Sequence, residues 1–296
     1  MCGIVGLFLK DETLEPKLGA ILSDMLVTMS DRGPDSAGIA IYSDSKQSKI
    51  TVQSDDPDDA FGALEDDLTK TRGAAPGFIV RDTHAVIAVD ADEVSTVRER
   101  IAQNHPDIRV MSSGKMVEIY KEVGLPAEVV DRFDIRKMQG THGVGHTRMA
   151  TESAVTTLGA HPFSTDEDQC LVHNGSLSNH NSLRRKLVRE GMTFETENDT
   201  EVGAAYLAHR MQKGAKLGDA LEESLRDLDG FYTFVVGTRD GFGVLRDPIG
   251  CKPAVLAETD QYVAFGSEYQ ALANLPGIES AKVWEPEPAT VYFWEH

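Results

Sequence analysis

The stretch MCGIVGLF (residues 1–8) places a thiol at position 2, directly before a short run of glycine and apolar side chains. That run, extended to residue 9, contains β-branched members and predicts a buried strand. Removal of Met1 would leave Cys2 with a free α-amino group, which titrates close enough to neutral pH to accept the thiol proton without a histidine. A retained Met1 would lock that nitrogen in a peptide bond. The stretch indicates an N-terminal nucleophile, with an ordinary buried cysteine as the alternative.

The composition predicts a soluble globular protein of one large domain or two modest ones. The chain has 296 residues, of which 41% are hydrophobic and 26% are charged. Its 48 acidic residues outnumber 29 basic ones, for a net charge of −19, which argues against binding to nucleic acid or to an anionic membrane surface. No apolar stretch approaches the roughly 20 residues that span a bilayer, and no signal peptide is evident. We therefore expect a cytoplasmic protein.

The three cysteines do not predict a disulfide or a metal site. Cys2, Cys170 and Cys251 are odd in number, far apart and without CxxC spacing. This usage fits a reducing compartment, and for Cys170 and Cys251 it predicts small buried side chains.

Blocks of predicted helices alternate with runs of predicted strands. Strands are predicted at 3–9, 39–43, 49–54, 85–91, 108–112, 141–151, 169–177, 231–238, 241–247, 254–259, 262–267 and 289–294. Helices are predicted at 18–30, 93–105, 114–125, 126–138, 180–191, 199–214 and 217–228. The alternation indicates two sheets with helices packed outside.

Two local features bear on the first half of the chain. The strands at 39–43 and 49–54 look like a hairpin, and the acidic stretch 55–67 is interpreted as a solvated loop with one helical turn. The segment 51–140 is interpreted as a small α/β insert.

Three polar motifs could bind the charged groups of a small molecule. Arg148 lies in a predicted strand, near Thr147 and Thr151, and a guanidinium can hold a carboxylate through two parallel hydrogen bonds. Asn174 and Gly175 could aim N–H groups at an oxyanion, although Asn-Gly is more often a tight turn. Asp199 could bind an ammonium group, although a helix N-cap is the commoner role.

Together the motifs resemble the class II glutamine amidotransferases, a family of N-terminal nucleophile (Ntn) hydrolases. The resemblance covers residues 1 to about 42 and 141 to about 294. Its markers are MCGIVG (1–6), RGPDSAG (32–38), GHTRMAT (145–151), GAHPF (159–163), VHNGSLSN (172–179), NDTEV (198–202), RDPIGCKP (246–253) and FGSEYQAL (265–272). They occur in the family's order and are specific as a set.

The resemblance implies a role for each site residue. Cys2 matches the nucleophile, and Asn174 and Gly175 match the oxyanion hole. Arg148 matches the residue that grips the glutamine α-carboxylate, and Asp199 the one that receives its α-ammonium group. Substrate-binding positions in the remaining motifs are Thr151, His161 and Arg32.

The implied fold is α+β, a four-layer αββα sandwich of two antiparallel sheets, with the α/β insert at one end. The implied reaction is hydrolysis of glutamine to glutamate and ammonia through a γ-glutamyl thioester on Cys2.

Four histidines raise the question of a metal site: His142, His146, His161 and His173. The segment THGVGH contains two glycines and is predicted to be strand or turn, where side chains at i and i+4 share no helical face. Pocket or core roles are therefore preferred, and no metal is expected. The RDPIGCKP segment is predicted to fix a loop between strands.

Some residues depart from the family pattern. Met149 stands where many members have an aromatic residue, and Glu152 where some have a histidine. The insert at 51–140 is unusual beside compact members. These differences leave the nucleophile intact.

The resemblance also suggests partners. The amidotransferase pattern reaches almost to His296, so we expect the acceptor chemistry on another chain. This organisation resembles the separate amidotransferase subunit of split glutamate synthase and of N-methylglutamate synthase, a hetero-oligomer with FMN-binding and β-helical subunits. No cofactor is expected on this chain; FMN, with an iron–sulfur (Fe-S) cluster as a further candidate, is expected on the partners. A catalytically silent scaffold or regulatory subunit is the alternative.

Overall fold

A computed structural model of the protein describes residues 2–150 and 154–296. The strands are β1 (Gly3–Leu9), β2 (Ser36–Tyr42), β3 (Ser48–Gln53), β4 (Gly77–Arg81), β5 (His84–Val89), β6 (Arg109–Gly114), β7 (Val117–Val123), β8 (His142–Arg148), β9 (Gln169–Leu177), β10 (Gly230–Thr238), β11 (Gly241–Arg246), β12 (Val255–Glu258), β13 (Tyr262–Gly266), β14 (Lys282–Trp284) and β15 (Thr290–Glu295). The α-helices are α1 (Leu18–Thr28), α2 (Pro57–Arg72), α3 (Val94–Asn104), α4 (Pro126–Arg132), α5 (His180–Arg189), α6 (Asp199–Gln212) and α7 (Leu217–Asp227).

Two antiparallel sheets form the centre of the molecule. The first has seven strands in the order β14-β12-β13-β1-β8-β2-β7, and the second has four in the order β15-β11-β10-β9. Because side chains alternate along a strand, β1 supplies both faces of its sheet: Ile4 and Phe8 pack toward the second sheet, whereas Val5 and Leu7 pack toward α1. The second sheet is covered on its other face by α5, α6 and α7. This is the expected four-layer αββα sandwich.

The chain between the layers forms a third sheet of its own. Its four antiparallel strands run in the order β4-β5-β3-β6, and α2 and α3 cover one face around Ile50, Leu64 and Ile101. The element order is βαββαβ, as in ferredoxin-like units. This unit spans residues 48–114, which differs from the predicted 51–140, because β7 pairs with β2 at the edge of the seven-stranded sheet.

Three local predictions were wrong. From Pro57 onward the acidic stretch 55–67 lies in α2, a 16-residue helix, because Phe61, Leu64 and Leu68 form a buried stripe beneath the charges. The segment around β7 is a strand rather than a helix. The expected hairpin of β2 and β3 does not form, because β2 pairs with β7 and β8 while β3 pairs with β5 and β6.

The cysteines are unpaired, and they differ in exposure. Cys170 is buried as predicted, but Cys251 is exposed because it lies in the loop between β11 and β12. Within the described ranges, no helix is long and apolar enough to cross a membrane.

Candidate active site

An open cleft of about 730 Å³ lies where the ends of β1 and β8 meet β9 and the start of α6. Of the residues proposed from the sequence, it is lined by Cys2, Arg148, His161, Asn174, Gly175 and Asp199. Residues far apart in the chain therefore share one cavity. Thr151 lies outside the described residues.

Cys2 precedes β1, and hydrogen bonds to its carbonyl group hold it in place. Gly3 is paired with Thr147, which places Cys2 at the level where β8 ends in Arg148. The Cys2 carbonyl accepts hydrogen bonds from Arg32 Nε and Asn174 Nδ2, each at 3.1 Å. The thiol is free and half-buried. Two donors from separate segments thus fix the backbone that carries the thiol.

Arg32 supports the cleft without lining it. It ends a short 3-10 helix at Ser30–Arg32, and its guanidinium also pairs with Glu268. Arg32 contacts Cys2 through the main-chain carbonyl, so this predicted substrate-binding residue lies behind the nucleophile.

A cation and an anion lie on the cleft wall. Arg148 is buried to 8% exposure, and its Nη1 donates to the Ala154 carbonyl at 3.3 Å. Asp199 is the first residue of α6, and its Oδ2 accepts the Leu177 N–H at 2.9 Å. The N-cap is Asn198, whose side chain accepts the Thr200 N–H at 2.9 Å. The cap role considered for Asp199 is therefore filled by its neighbour.

Asn174 and Gly175 lie inside β9 rather than in a tight turn. Asn174 is buried, with its side-chain amide on the Cys2 carbonyl. Gly175 has φ +147°, and a Cβ built there would lie 1.9 Å from the Phe231 carbonyl oxygen. Only glycine fits this strand position, since both the dihedral angle and the neighbouring backbone exclude a side chain.

Three buried histidines pack beside the cleft around Thr200. Thr200 Oγ1 lies 3.2 Å from His161 Nε2 and 3.0 Å from His173 Nδ1. The rings of His146 and His161 are 4.1 Å apart, and His146 Nε2 contacts the His173 carbonyl at 3.1 Å. Burial lowers the pKa of His146 to about 3 and lowers the pKa values of His161 and His173, although Asp199 opposes the shift for His173. The cluster is therefore neutral at pH 7.

His142 lies apart from this cluster. It stacks on Tyr42 with ring centroids 4.2 Å apart and contacts the Thr238 carbonyl at 2.9 Å. In the part of the chain that the structure describes, no three His, Cys, Asp or Glu side chains are grouped as metal ligands.

Several cleft residues were not assigned from the sequence, among them Thr200 and Lys252. Thr200 bridges two histidines, and Lys252 lines the cleft from the RDPIGCKP loop, with Nζ 5.2 Å from the Phe231 ring centroid. That loop is also a tight turn, because Asp247 accepts the N–H groups of Ile249 and Gly250. Both residues stand in family motifs: Thr200 follows Asp199 in NDTEV, and Lys252 belongs to RDPIGCKP. Membership of a motif was the available signal.

Comparison with known proteins is consistent with this geometry. The family described as "Glutamine amidotransferase domain" matches residues 130–293. The glutamine amidotransferase-like protein GlxB of Rhizobium meliloti is 67% identical over 298 residues, covering 100% of this chain and 99% of GlxB. A putative glutamine amidotransferase of Methanothermobacter thermautotrophicus is 33% identical over the full length of both chains.

The fold is also similar to a solved structure. The glutamine phosphoribosylpyrophosphate amidotransferase of B. subtilis aligns with a TM-score of 0.63 at 21% identity, over 99% of this chain and 47% of that one. The chain thus spans about half the length of that enzyme, and at this identity the likeness concerns the fold. With the family match and the full-length relatives, it follows that the chain belongs to the class II glutamine amidotransferases.

Proposed function

We propose that the protein is a glutaminase that hydrolyses glutamine to glutamate and ammonia through a thioester on Cys2. The observation that carries the proposal is the shared cleft, in which the Cys2 thiol lies with the Arg148 guanidinium, the Asp199 carboxylate and the Asn174–Gly175 pair. Glutamine has the complementary pattern, with a carboxylate and an ammonium group at one end and an amide at the other.

In the proposed mechanism, Arg148 holds the substrate α-carboxylate and Asp199 its α-ammonium group, which directs the amide carbon toward Cys2. Once Met1 is removed, the α-amino group takes the thiol proton, and the sulfur attacks the amide carbon. The oxyanion that forms would accept hydrogen bonds from the side-chain amide of Asn174 and the backbone N–H of Gly175. The amide Nδ2 of Asn174 carries two hydrogens, so its bond to the Cys2 carbonyl leaves a second donor.

The second half of the reaction regenerates the thiol. The Cys2 α-amino group, which now carries the thiol proton, returns it to the leaving nitrogen, ammonia departs, and a γ-glutamyl thioester remains on Cys2. Water then adds to the thioester carbonyl and gives a proton to the Cys2 α-amino group; the sulfur leaves as thiolate and takes that proton, which yields glutamate and the free thiol.

We further propose that the ammonia serves a synthase composed of other chains, in a glutamate synthase-like or N-methylglutamate synthase complex. Support comes from the GHTRMATESAV and GAHPF motifs and from relatives that match over their full lengths. FMN, and an Fe-S cluster if there is one, would then reside on FMN-binding and β-helical partners. Co-purification from the native host, followed by flavin absorbance and identification of the partners, tests this proposal; recovery of the chain alone would argue against it.

Substitution of Cys2 tests the glutaminase proposal. Wild type should release glutamate from glutamine, Cys2→Ala should lose the activity, and Cys251→Ala, which removes an exposed thiol, should keep it. Glutamate release by Cys2→Ala at the wild-type rate would refute the mechanism. A folded but inactive wild type that still joins the synthase would instead favour a silent scaffold subunit.

A further inference from the structure

One wall of the cleft is held in place by a buried lysine on a neighbouring strand. Leu158, Gly159 and His161 line the cleft. Behind them, Lys121 on β7 donates from Nζ to the carbonyls of residues 158, 160 and 162, at 3.2, 2.9 and 3.3 Å. A single ammonium group therefore binds alternate carbonyls of the segment 158–162, which we call the wall.

The three contacts match the capacity of the lysine. An ammonium group has three N–H donors and no acceptor, and here three carbonyls receive them. Lys121 is only 4% exposed, and its Nζ also lies 4.5 Å from the Phe163 ring centroid. In the described ranges its hydrogen bonds go to these three carbonyls, whereas the Glu195 and Glu201 carboxylates act on it through longer-range electrostatics.

On β2, the strand next to β7, a glycine leaves space for the wall. Gly38 on β2 is the register partner of Lys121. A Cβ added at Gly38 would lie 2.0 Å from the His161 carbonyl oxygen. The wall thus rests directly on the sheet at Gly38, while Lys121 holds the carbonyls on either side.

The wall contacts the end of the cleft proposed to bind the amino acid group of glutamine. His161 Nε2 lies 3.2 Å from Oγ1 of Thr200, the residue after Asp199. An ideal Cβ at Gly159 would lie 3.6 Å from Arg148 Nη1. Cys2 is instead held by Arg32 and Asn174, which the wall does not supply.

We propose that Lys121 is a positioning residue for substrate binding: by holding the wall at 158–162, it keeps His161 and the surroundings of Arg148 in place to receive the amino acid end of glutamine. The inference rests on the proposed glutaminase function. It predicts a selective effect, since loosening this wall weakens binding of the whole substrate and leaves the nucleophile in place.

Lys121→Met keeps the length of the side chain and removes the three donors. We expect KM for glutamine to rise about 10- to 100-fold, with kcat within roughly threefold of wild type. In a Cys2→Ala background, where glutamine is not consumed, calorimetry should show the same loss of affinity. The matched control is Lys49→Met, because Lys49 is also buried and hydrogen-bonded but contacts Ser43 and Glu118 instead of the wall; its KM should not change.

Gly38→Ala displaces the wall from the other side and covers the case in which Lys121→Met does not fold. It should also raise KM selectively, whereas Gly62→Ala, with no atom within 4 Å of the added Cβ, should not. Folded variants with wild-type KM and affinity would overturn the inference, and so would variants whose kcat falls by as much as KM rises. The proposed function would still stand in either case, provided that the wild type hydrolyses glutamine. A wild type that neither binds nor hydrolyses glutamine would instead refute the proposed function.

Discussion

Gly175 illustrates how strictly single residues shape the cleft. It lies within β9 at φ +147°, a dihedral that side chains disfavour, and the Phe231 carbonyl occupies the space that a Cβ would need. Asn174, just before it, contacts the Cys2 carbonyl. A shift at Gly175 would therefore be passed directly to the nucleophile.

Gly175→Ala should lower both stability and turnover. Backbone strain of this kind costs roughly 1–3 kcal/mol, and displacement of an oxyanion donor lowers kcat by about 10²–10³-fold. Gly191→Ala is the matched control, since Gly191 has φ +99° with open space around it, and it should lose stability alone. Urea unfolding and glutamate release check the two effects; normal turnover in folded Gly175→Ala would exclude Gly175 from the oxyanion site.

The residues of the cleft were largely identifiable from the sequence because their motifs are specific as a set. The motifs could not show that Arg32 acts behind Cys2 or that Asn198 caps α6, since both depend on where the chain folds back. Lys121 was missed, although it follows Val117 and Ile119 at inward positions of a strand. A lysine that continues an apolar alternation was the available signal.

At the scale of elements, the start of α6 combines a cap with a binding group. Asn198 caps the helix and leaves the Asp199 carboxylate on the cleft, with one oxygen on the Leu177 N–H. The helix N-terminus also favours negative charge there.

Asp199→Asn should raise KM for glutamine by at least about 30-fold, because the substrate ammonium group loses its charged partner, a loss of roughly 2–5 kcal/mol. Asp219→Asn is the control: Asp219 also lies in the first turn of a helix, α7, so both variants lose a similar helix-dipole contribution. Steady-state kinetics would contradict the assignment if both variants bound glutamine like wild type.

Two elements show why secondary structure was only partly predictable. The segment of β7 is rich in Lys and Glu, which favours a helix, but Val117 and Ile119 face the core whereas Glu118 and Tyr120 contact the insert. Pairing with β2 fixes the segment as a strand. In α2, dense acidic residues obscured a stripe of three apolar side chains, with Pro57 at the start and Gly73 at the end. Tertiary pairing decides the first case, and a helical period decides the second.

At the scale of the whole molecule, buried histidines make the fold sensitive to acid. His84, His142 and His146 each have a pKa lowered to about 3, chiefly by burial. Their ordinary value is 6.5, so below that pH the unfolded chain binds more protons than the folded one. The stabilisation is therefore complete above pH 6.5 and is lost as the pH falls toward 3.

We expect the free energy of unfolding to decrease with acidification by about 1.4 kcal/mol per pH unit for each of these histidines. His142→Gln keeps a donor for the Thr238 carbonyl but cannot titrate. Urea unfolding between pH 6 and pH 4 should show a slope shallower by one proton in this variant. Identical slopes would mean that His142 is protonated in the folded state.

The layered architecture followed from the sequence, because strand and helix blocks alternate and the family motifs mark both sheets. The boundary of the insert did not, since β7 follows β6 closely in the chain yet belongs to another sheet. Contacts across that boundary, such as Lys49 with Glu118 at 2.9 Å, join the third sheet to β7.

The most direct test is intact-mass and peptide analysis of the purified protein, acid-quenched during turnover of glutamine. A reactive amino-thiol at residue 2 predicts a chain that lacks Met1 and a fraction whose first peptide carries one glutamyl group on Cys2, absent when glutamine is omitted. Glutamate release by a protein that retains Met1 throughout, or that bears the glutamyl group on another residue, would contradict the account.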